Sequence, residues 1–120
     1  MSKYATLSND GLKSAYESLK KSIDLQNNVP IVVIPHKDLK LSKELFLFRR
    51  DMKVQRLLTA IRLNISLLPS QGLYLFVRSN SSDKSYSNIL NPNAVMSDIY
   101  NQYNTCGFLF IQCAIENTFG

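Results

Sequence analysis

The chain has 120 residues, 45% of them hydrophobic, and this composition predicts one compact domain with a core and excludes a disordered chain. Lysine and arginine total 14 against 9 acidic residues, so the net charge is +5, but the basic residues are scattered as on an ordinary solvated surface. No run approaches the roughly 20 apolar residues of a membrane span, and the polar segment Met1 to Asp10 does not predict a signal peptide.

Metal and catalytic sites are not expected. Cys106 and Cys113 form no Cys-x-x-Cys pattern, and His36 is the single histidine, whereas tetrahedral zinc usually takes four ligands. We therefore interpret both cysteines as free thiols. The sequence also lacks a glycine-rich phosphate loop and a supported pairing of nucleophile and base, so we predict no cofactor and no enzymatic activity.

The first part of the chain predicts one helix followed by two strands. Good N-cap residues at Ser8 to Asp10 precede apolar residues that recur at helical spacing as far as Ile23. The β-branched run Val29 to Ile34 predicts a strand, and Pro30 fits near its start because proline cannot donate a ladder hydrogen bond. Leu45 to Phe48 predicts a second strand, whose four consecutive apolar residues require cover on both faces.

The middle of the chain predicts a second helix. Asp51 is a suitable N-cap, and the apolar residues behind it recur three or four positions apart. The members of this stripe are Val54, Leu57, Leu58, Ile61 and Ile65. Pro69 and Gly72 mark where the segment stops.

The last part predicts two further strands and a short helix. Leu73 to Val77 is a third strand, and Ser79 to Asn93, rich in serine and asparagine, is predicted to be a long loop. The short helix opens at Pro92 or Ala94. Phe108 to Ile115 is the last strand, and both of its faces are apolar, so both need cover.

This order of elements predicts an α+β fold in which a four-stranded mixed sheet grasps one central helix, the ubiquitin-like β-grasp. We divide the chain into an N-terminal helical extension at residues 1–27, a β-grasp core at 28–115 and a flexible tail at 116–120. The central helix covers one face of the sheet, and the N-terminal helix is the available cover for the other.

Three segments near the end of the chain carry a specific pattern: Met96-Ser97-Asp98-Ile99-Tyr100, Gly107-Phe108-Leu109-Phe110 and Glu116-Asn117-Thr118-Phe119-Gly120. They resemble the GABARAP and microtubule-light-chain-three family of autophagy modifiers. Upstream, Asn28-Val29-Pro30-Ile31-Val32 is similar to that family's first strand. The chain departs from the family where Asn28 replaces a basic residue and where Leu45 to Arg49 replaces a basic-aromatic-Leu-Val-Pro strand. It therefore resembles a divergent member.

The resemblance implies a modifier that activating-like and conjugating-like autophagy enzymes join through Gly120, beside Phe119, to phosphatidylethanolamine. A cytoplasmic protein, monomeric when unconjugated, would then reach the autophagosome or vacuole membrane, because two acyl chains anchor a protein stably. Two alternatives stay open. One is a sister-type modifier joined to a protein lysine, and the other is a non-conjugated binding module for peptides or acidic partners. No nucleic-acid partner is expected.

The resemblance also implies a groove at the second strand that binds aromatic-x-x-aliphatic peptides of cargo receptors and adaptors. The first pocket, for the aromatic side chain, would be lined by Glu17, Pro30, Ile31 or Val32, Leu45, Leu47 and Phe108. The second pocket, for the aliphatic side chain, would be lined by Phe46, Phe48, Met52, Leu57 and Ile61. For Leu57 and Ile61 a core position is the simpler interpretation.

Cations around this groove are expected to meet the acidic residues that often precede the aromatic position of such peptides. They are Lys43, Arg49, Arg50 and Arg62. Alanine at both Phe46 and Leu47 is expected to abolish peptide binding while leaving the fold intact.

Overall fold

Three helices and five strands are described in the computed structural model, which covers residues 3–36, 39–65, 72–79 and 85–115. In chain order they are α1 (Asn9–Lys20), β1 (Asn28–Pro35), β2 (Leu45–Arg49), α2 (Val54–Leu63), β3 (Leu73–Val77), β4 (Asn88–Ile89), α3 (Met96–Tyr103) and β5 (Leu109–Ile115). The strands form one mixed sheet in the order β2-β1-β5-β3-β4, in which β1 and β5 are parallel and the other neighbours antiparallel. No helix within these ranges combines the length and apolar character needed to cross a bilayer.

The predicted α+β β-grasp architecture is confirmed, but the predicted count of four strands is wrong. The fifth strand, β4, comes from the segment Ser79 to Asn93, which its composition assigned to a loop. Its residues Asn88 and Ile89 pair with Val77 and Phe76 of β3. Two residues are too few for an alternating pattern to be visible, so this strand is set by the neighbouring edge rather than by its own sequence.

The start of α1 agrees with the sequence prediction, and its end comes earlier. Ser8 is the N-cap, and its Oγ accepts the backbone N–H of Gly11 at 3.1 Å. The helix ends at Lys20, because a turn follows in which the Asp24 carboxylate accepts the backbone N–H of Gln26 at 3.0 Å.

The N-terminus of α2 is capped differently from the sequence prediction, which placed Asp51 at the N-cap. Lys53 occupies that position and makes no side-chain capping bond. The first helical N–H, that of Val54, donates instead to the carbonyl of Ala94 at 2.9 Å. The carbonyl of Ala94, from a distant segment, therefore accepts a helical N–H that the nearby carboxylate of Asp51 was expected to cap. The predicted stop at Pro69 lies outside the described residues.

Alternation along the strands gives the sheet two apolar faces. The α2 face carries the larger core, which includes Val29, Ile31, Val33, Phe46, Val54, Leu57, Ile61, Leu109, Ile111 and Cys113. The α1 face carries a smaller core of Leu12, Val32, Phe108 and Phe110. Leu12 belongs to α1, so the prediction that the N-terminal helix covers the second face is confirmed. The two cysteines are free, and burial raises the pKa of the Cys113 thiol to about 11.

Arg78, directly after β3, is a buried cation on the α1 face. It is 5% exposed, and its Cζ lies 3.7 Å from the centroid of the Phe110 ring. Its Nε and Nη2 atoms have no hydrogen-bond partner within the described part of the chain. These two donors have therefore lost their hydrogen bonds to water. The contact with the Phe110 ring offsets only part of the free energy lost with them.

Replacing Arg78 with methionine is expected to raise the free energy of unfolding by about 1–3 kcal/mol. The two unpaired buried donors destabilise the folded state by more than the roughly 2 kcal/mol by which stacking on Phe110 stabilises it. Methionine keeps an unbranched stem and a favourable contact with the ring. Urea denaturation measures the change, and the control Arg78→Lys, which retains a charge, is expected to gain nothing. A lower free energy of unfolding for the methionine variant would contradict this account.

Candidate peptide-binding site

β2 is the outer strand of the described sheet, and its register with β1 decides which backbone groups face outward. The Val33 N–H donates to the carbonyl of Glu44 at 2.9 Å, and along an antiparallel pair such bonded positions alternate. The backbone of Phe46 is therefore bonded toward β1, whereas the N–H and C=O groups of Leu45 and Leu47 point to the open edge. An extended peptide can add to such an edge through main-chain hydrogen bonds.

Five of the residues predicted for the first pocket share the α1 face. The register places Leu47 opposite Pro30 and Leu45 opposite Val32. Leu45 and Val32 lie in the same apolar cluster as Phe108. The structure thus brings these five side chains to one side of the β2 edge.

The other predicted members of the first pocket are placed differently. Ile31 points to the α2 face and belongs to the core there, so Val32 is the member of that pair that faces the first pocket. Glu17 is exposed on α1, where its Oε2 lies 3.9 Å from the Lys20 Nζ. Such an exposed pair contributes little to stability, so Glu17 remains accessible to a ligand.

The floor of the first pocket is covered by the chain itself. Phe108 is 0% exposed, and two tyrosine rings lie over it. The Tyr4 centroid is 5.3 Å from that of Phe108, and the Tyr16 ring meets it edge-on at 6.0 Å. The sequence prediction assigned neither tyrosine to the site. For Tyr4 a signal was present, because Tyr4-Ala5-Thr6-Leu7 has the aromatic-x-x-aliphatic spacing of the expected ligand.

The residues predicted for the second pocket divide into a buried group and an accessible group. Phe46, Leu57 and Ile61 are 2%, 0% and 0% exposed and belong to the core of the α2 face. Phe48 and Met52 are half-buried. An open depression of about 440 Å³ lies beside Met52, and its other lining residues are Lys53, Gln55, Arg56 and Thr59. An aliphatic side chain can therefore reach Met52 in this conformation, Phe48 packs against the edge of the core, and the other three residues serve the core.

Three of the four predicted cations lie at the surface. The Lys43 Nζ is 4.8 Å from the centroid of the Phe46 ring, and Arg62 is exposed on α2. Arg49 pairs with Asp51 at 3.1 Å, and this hydrogen bond and charge lower the pKa of that carboxyl. All three side chains are exposed to solvent.

Arg50 has a structural role instead. Its Nε donates to the carbonyl of Gln26 at 2.7 Å, and its Nη2 donates to that of Leu25 at 3.0 Å. Its Cζ also lies 4.9 Å from the centroid of the Tyr100 ring. Arg50 thus connects the end of β2 to the turn before β1 and to α3. Its Nε and Nη2 donors already make hydrogen bonds within the chain.

The predicted conjugation residues, Phe119 and Gly120, lie outside the described residues. The strand that leads toward them, β5, ends at Ile115. Among the residues that the structure describes, no group of three or more His, Cys, Asp or Glu side chains is placed to hold a metal ion.

Comparisons with known proteins agree with this fold. A family model described as "Autophagy protein Atg8 ubiquitin like" matches residues 14–120. Autophagy-related protein 8 of Candida glabrata is 30% identical over 117 residues, which cover 90% of this chain and 88% of that protein. The crystal structure of Trypanosoma brucei ATG8 superposes with a TM-score of 0.73 at 23% identity, covering 100% of this chain and 99% of that one.

A second solved structure is that of Plasmodium falciparum Atg8 in complex with a Plasmodium falciparum Atg3 peptide. It has a TM-score of 0.69 and 17% identity, and 95% of each chain is covered. At these identities the two structures show the fold, whereas the family model and the Candida glabrata protein show the family. The chain belongs to the Atg8 family of ubiquitin-like autophagy proteins.

Proposed function

We propose that this protein is a modifier joined through the carboxylate of Gly120 to phosphatidylethanolamine, with Phe119 beside the conjugated residue. The family match, which runs through residue 120, supports this role. Glycine suits the conjugated position because it has no Cβ and lets an enzyme approach the backbone closely. Activating and conjugating enzymes supply the chemistry, and the modifier itself catalyses nothing. Two acyl chains then hold it on the autophagosome or vacuole membrane.

The second part of the proposal is that the β2 edge binds aromatic-x-x-aliphatic peptides of cargo receptors, adaptors and the conjugating enzyme. The observation that carries it is the open edge itself, where Leu45 and Leu47 present their backbone groups and Leu47 is 37% exposed. A long apolar edge is an aggregation hazard unless it is a binding surface. The Atg3 peptide bound to the Plasmodium falciparum protein supports a conjugating enzyme as one such partner.

The conjugation proposal predicts that Gly120→Ala abolishes lipid attachment. The added Cβ hinders the close approach of the enzymes to the terminal carboxylate, so product is expected to fall to the level without ATP. The measurement uses Atg8-type activating and conjugating enzymes, ATP and liposomes containing phosphatidylethanolamine, with an electrophoretic mobility shift as readout. Gly11→Ala, at a glycine inside α1, is the matched control and should conjugate normally.

The outcome distinguishes lipid from protein as the acceptor. An adduct that phospholipase D removes supports the lipid. A Gly120-dependent adduct that resists phospholipase and contains a second protein would favour the sister-type modifier. A protein that shows no Gly120-dependent product under any of these conditions is not a conjugated modifier.

A further inference from the structure

The N-terminal segment Lys3 to Leu7 lies against the first pocket of the proposed groove. The Tyr4 ring is tilted by 39° over Phe108, at a centroid distance of 5.3 Å. Tyr4 and Leu7 both contact the cluster on the α1 face that also contains Leu45 of β2. An aromatic side chain of this chain therefore covers the ring that would form the floor for the aromatic side chain of a ligand.

Glu44, the residue before β2, holds the backbone of this segment. Its carboxylate accepts the N–H of Lys3 at 3.3 Å and the N–H of Tyr4 at 3.2 Å. The Lys3 Nζ also lies 5.5 Å from the centroid of the Tyr4 ring. These hydrogen bonds are at the long end of the usual range, and Tyr4 is half-buried. A ligand that takes the place of the Tyr4 ring must therefore overcome these hydrogen bonds and the contact between the Tyr4 and Phe108 rings.

The segment has the ligand's spacing without the ligand's conformation. Tyr4-Ala5-Thr6-Leu7 places an aliphatic residue three positions after an aromatic one. The Leu7 N–H, however, donates to the Tyr4 carbonyl at 3.2 Å, so the segment turns instead of extending along β2. Leu7 consequently lies against Gly11 of α1 and packs on the α1 face, whereas Phe48 of the second pocket packs on the α2 face.

We propose that Lys3 to Leu7 is an intramolecular occupant of the first pocket, which an incoming aromatic-x-x-aliphatic peptide must displace. This inference rests on the proposed peptide-binding function of the β2 edge. It assigns Tyr4 as a competitor for the aromatic side chain alone, since Leu7 packs on the α1 face and not in the second pocket. The apparent affinity of a peptide is then its intrinsic affinity reduced by the fraction of molecules in which Tyr4 has left Phe108.

The inference predicts that Tyr4→Ala strengthens peptide binding by about tenfold, the upper range for the loss of one aromatic pair. The probe is a short, uncharged synthetic peptide with tryptophan and leucine separated by two alanines, and isothermal calorimetry measures its Kd. Tyr4→Phe keeps the ring over Phe108 and is the matched control, expected to bind like the parent protein. A second peptide with alanine in place of tryptophan should show no gain, because Tyr4 does not compete with it.

Each result separates this inference from the proposed function. Equal or weaker binding of the tryptophan peptide by Tyr4→Ala overturns the inference while leaving the groove in place. An equal gain for both peptides also overturns it, since the effect would not concern the aromatic pocket. If no variant binds either peptide, the groove itself fails. Proton NMR then decides the occupancy in the free protein, because nuclear Overhauser contacts between the Tyr4 and Phe108 rings support it and their absence excludes it.

Discussion

Replacing Gly107 with alanine is expected to lower the free energy of unfolding by about 3–5 kcal/mol. Gly107 has a φ of +93°, which L-residues rarely adopt. An added Cβ would lie 2.3 Å from the Tyr16 Cδ1, closer than any contact allows. Tyr16 would have to leave its edge-on contact with Phe108, and the carbonyl of Gly107, which accepts the Tyr100 hydroxyl at 2.9 Å, would be disturbed as well.

A double-mutant cycle separates the two causes. In a Tyr16→Ala background the ring is gone, so Gly107→Ala is expected to cost only the backbone term of about 1–2 kcal/mol. Gly11→Ala is the control, where a Cβ would lie 3.3 Å from the Leu7 side chain and the backbone is helical. Urea denaturation gives each free energy of unfolding. If Gly107→Ala proved as stable as the parent protein, Gly107 would not constrain the fold as described.

The second large effect concerns two adjacent residues of β2. Phe46→Ala is expected to lower the free energy of unfolding by about 3–5 kcal/mol, because Phe46 is 2% exposed in the core of the α2 face. Leu47→Ala is expected to change it by less than about 1 kcal/mol but to weaken an aromatic-x-x-aliphatic peptide at least tenfold. The neighbours differ so strongly because successive strand residues point to opposite faces. Calorimetry and urea denaturation measure the two quantities.

This result corrects the sequence expectation that alanine at both positions would leave the fold intact. Leu63→Ala is a matched control, since Leu63 is 83% exposed at the end of α2 and is not one of the residues predicted to line either pocket. It should alter neither stability nor affinity. Unchanged affinity of Leu47→Ala would remove β2 as the docking edge, and unchanged stability of Phe46→Ala would contradict its core assignment.

Elements that bury their own apolar residues were predictable from sequence. The alternation from Phe108 to Ile115 identified both faces of β5, and the stripe containing Val54 identified α2. Features whose cause lies elsewhere in the chain were not predictable. β4 forms because the edge of β3 is available to pair with it. The N–H of Val54, the first of α2, donates to the carbonyl of Ala94, and no local sequence pattern connects these two residues. Local periodicity does not report such partners.

The candidate site was predictable in the same uneven way. Strand alternation was sufficient to place Leu45 and Leu47 on one side and Phe46 and Phe48 on the other, as the register has them. It did not predict which side chains a helix would bury, so Phe46 was assigned to a pocket. Strand alternation also gave no indication that Tyr4 lies over Phe108, because the turn that brings it there has no periodicity; the sequence signal for Tyr4 was instead its spacing from Leu7.

The central position of β5 has a consequence for the timing of folding. β5 joins the β1–β2 half of the sheet to the β3–β4 half, and its residues are the last of the described elements to be synthesised. Until Ile115 has left the ribosome, β1 and β3 each lack their partner and expose apolar strand edges. Such unpaired edges make a nascent chain prone to aggregation and a substrate for chaperones. We therefore expect this sheet to assemble after synthesis of β5 and not progressively during translation.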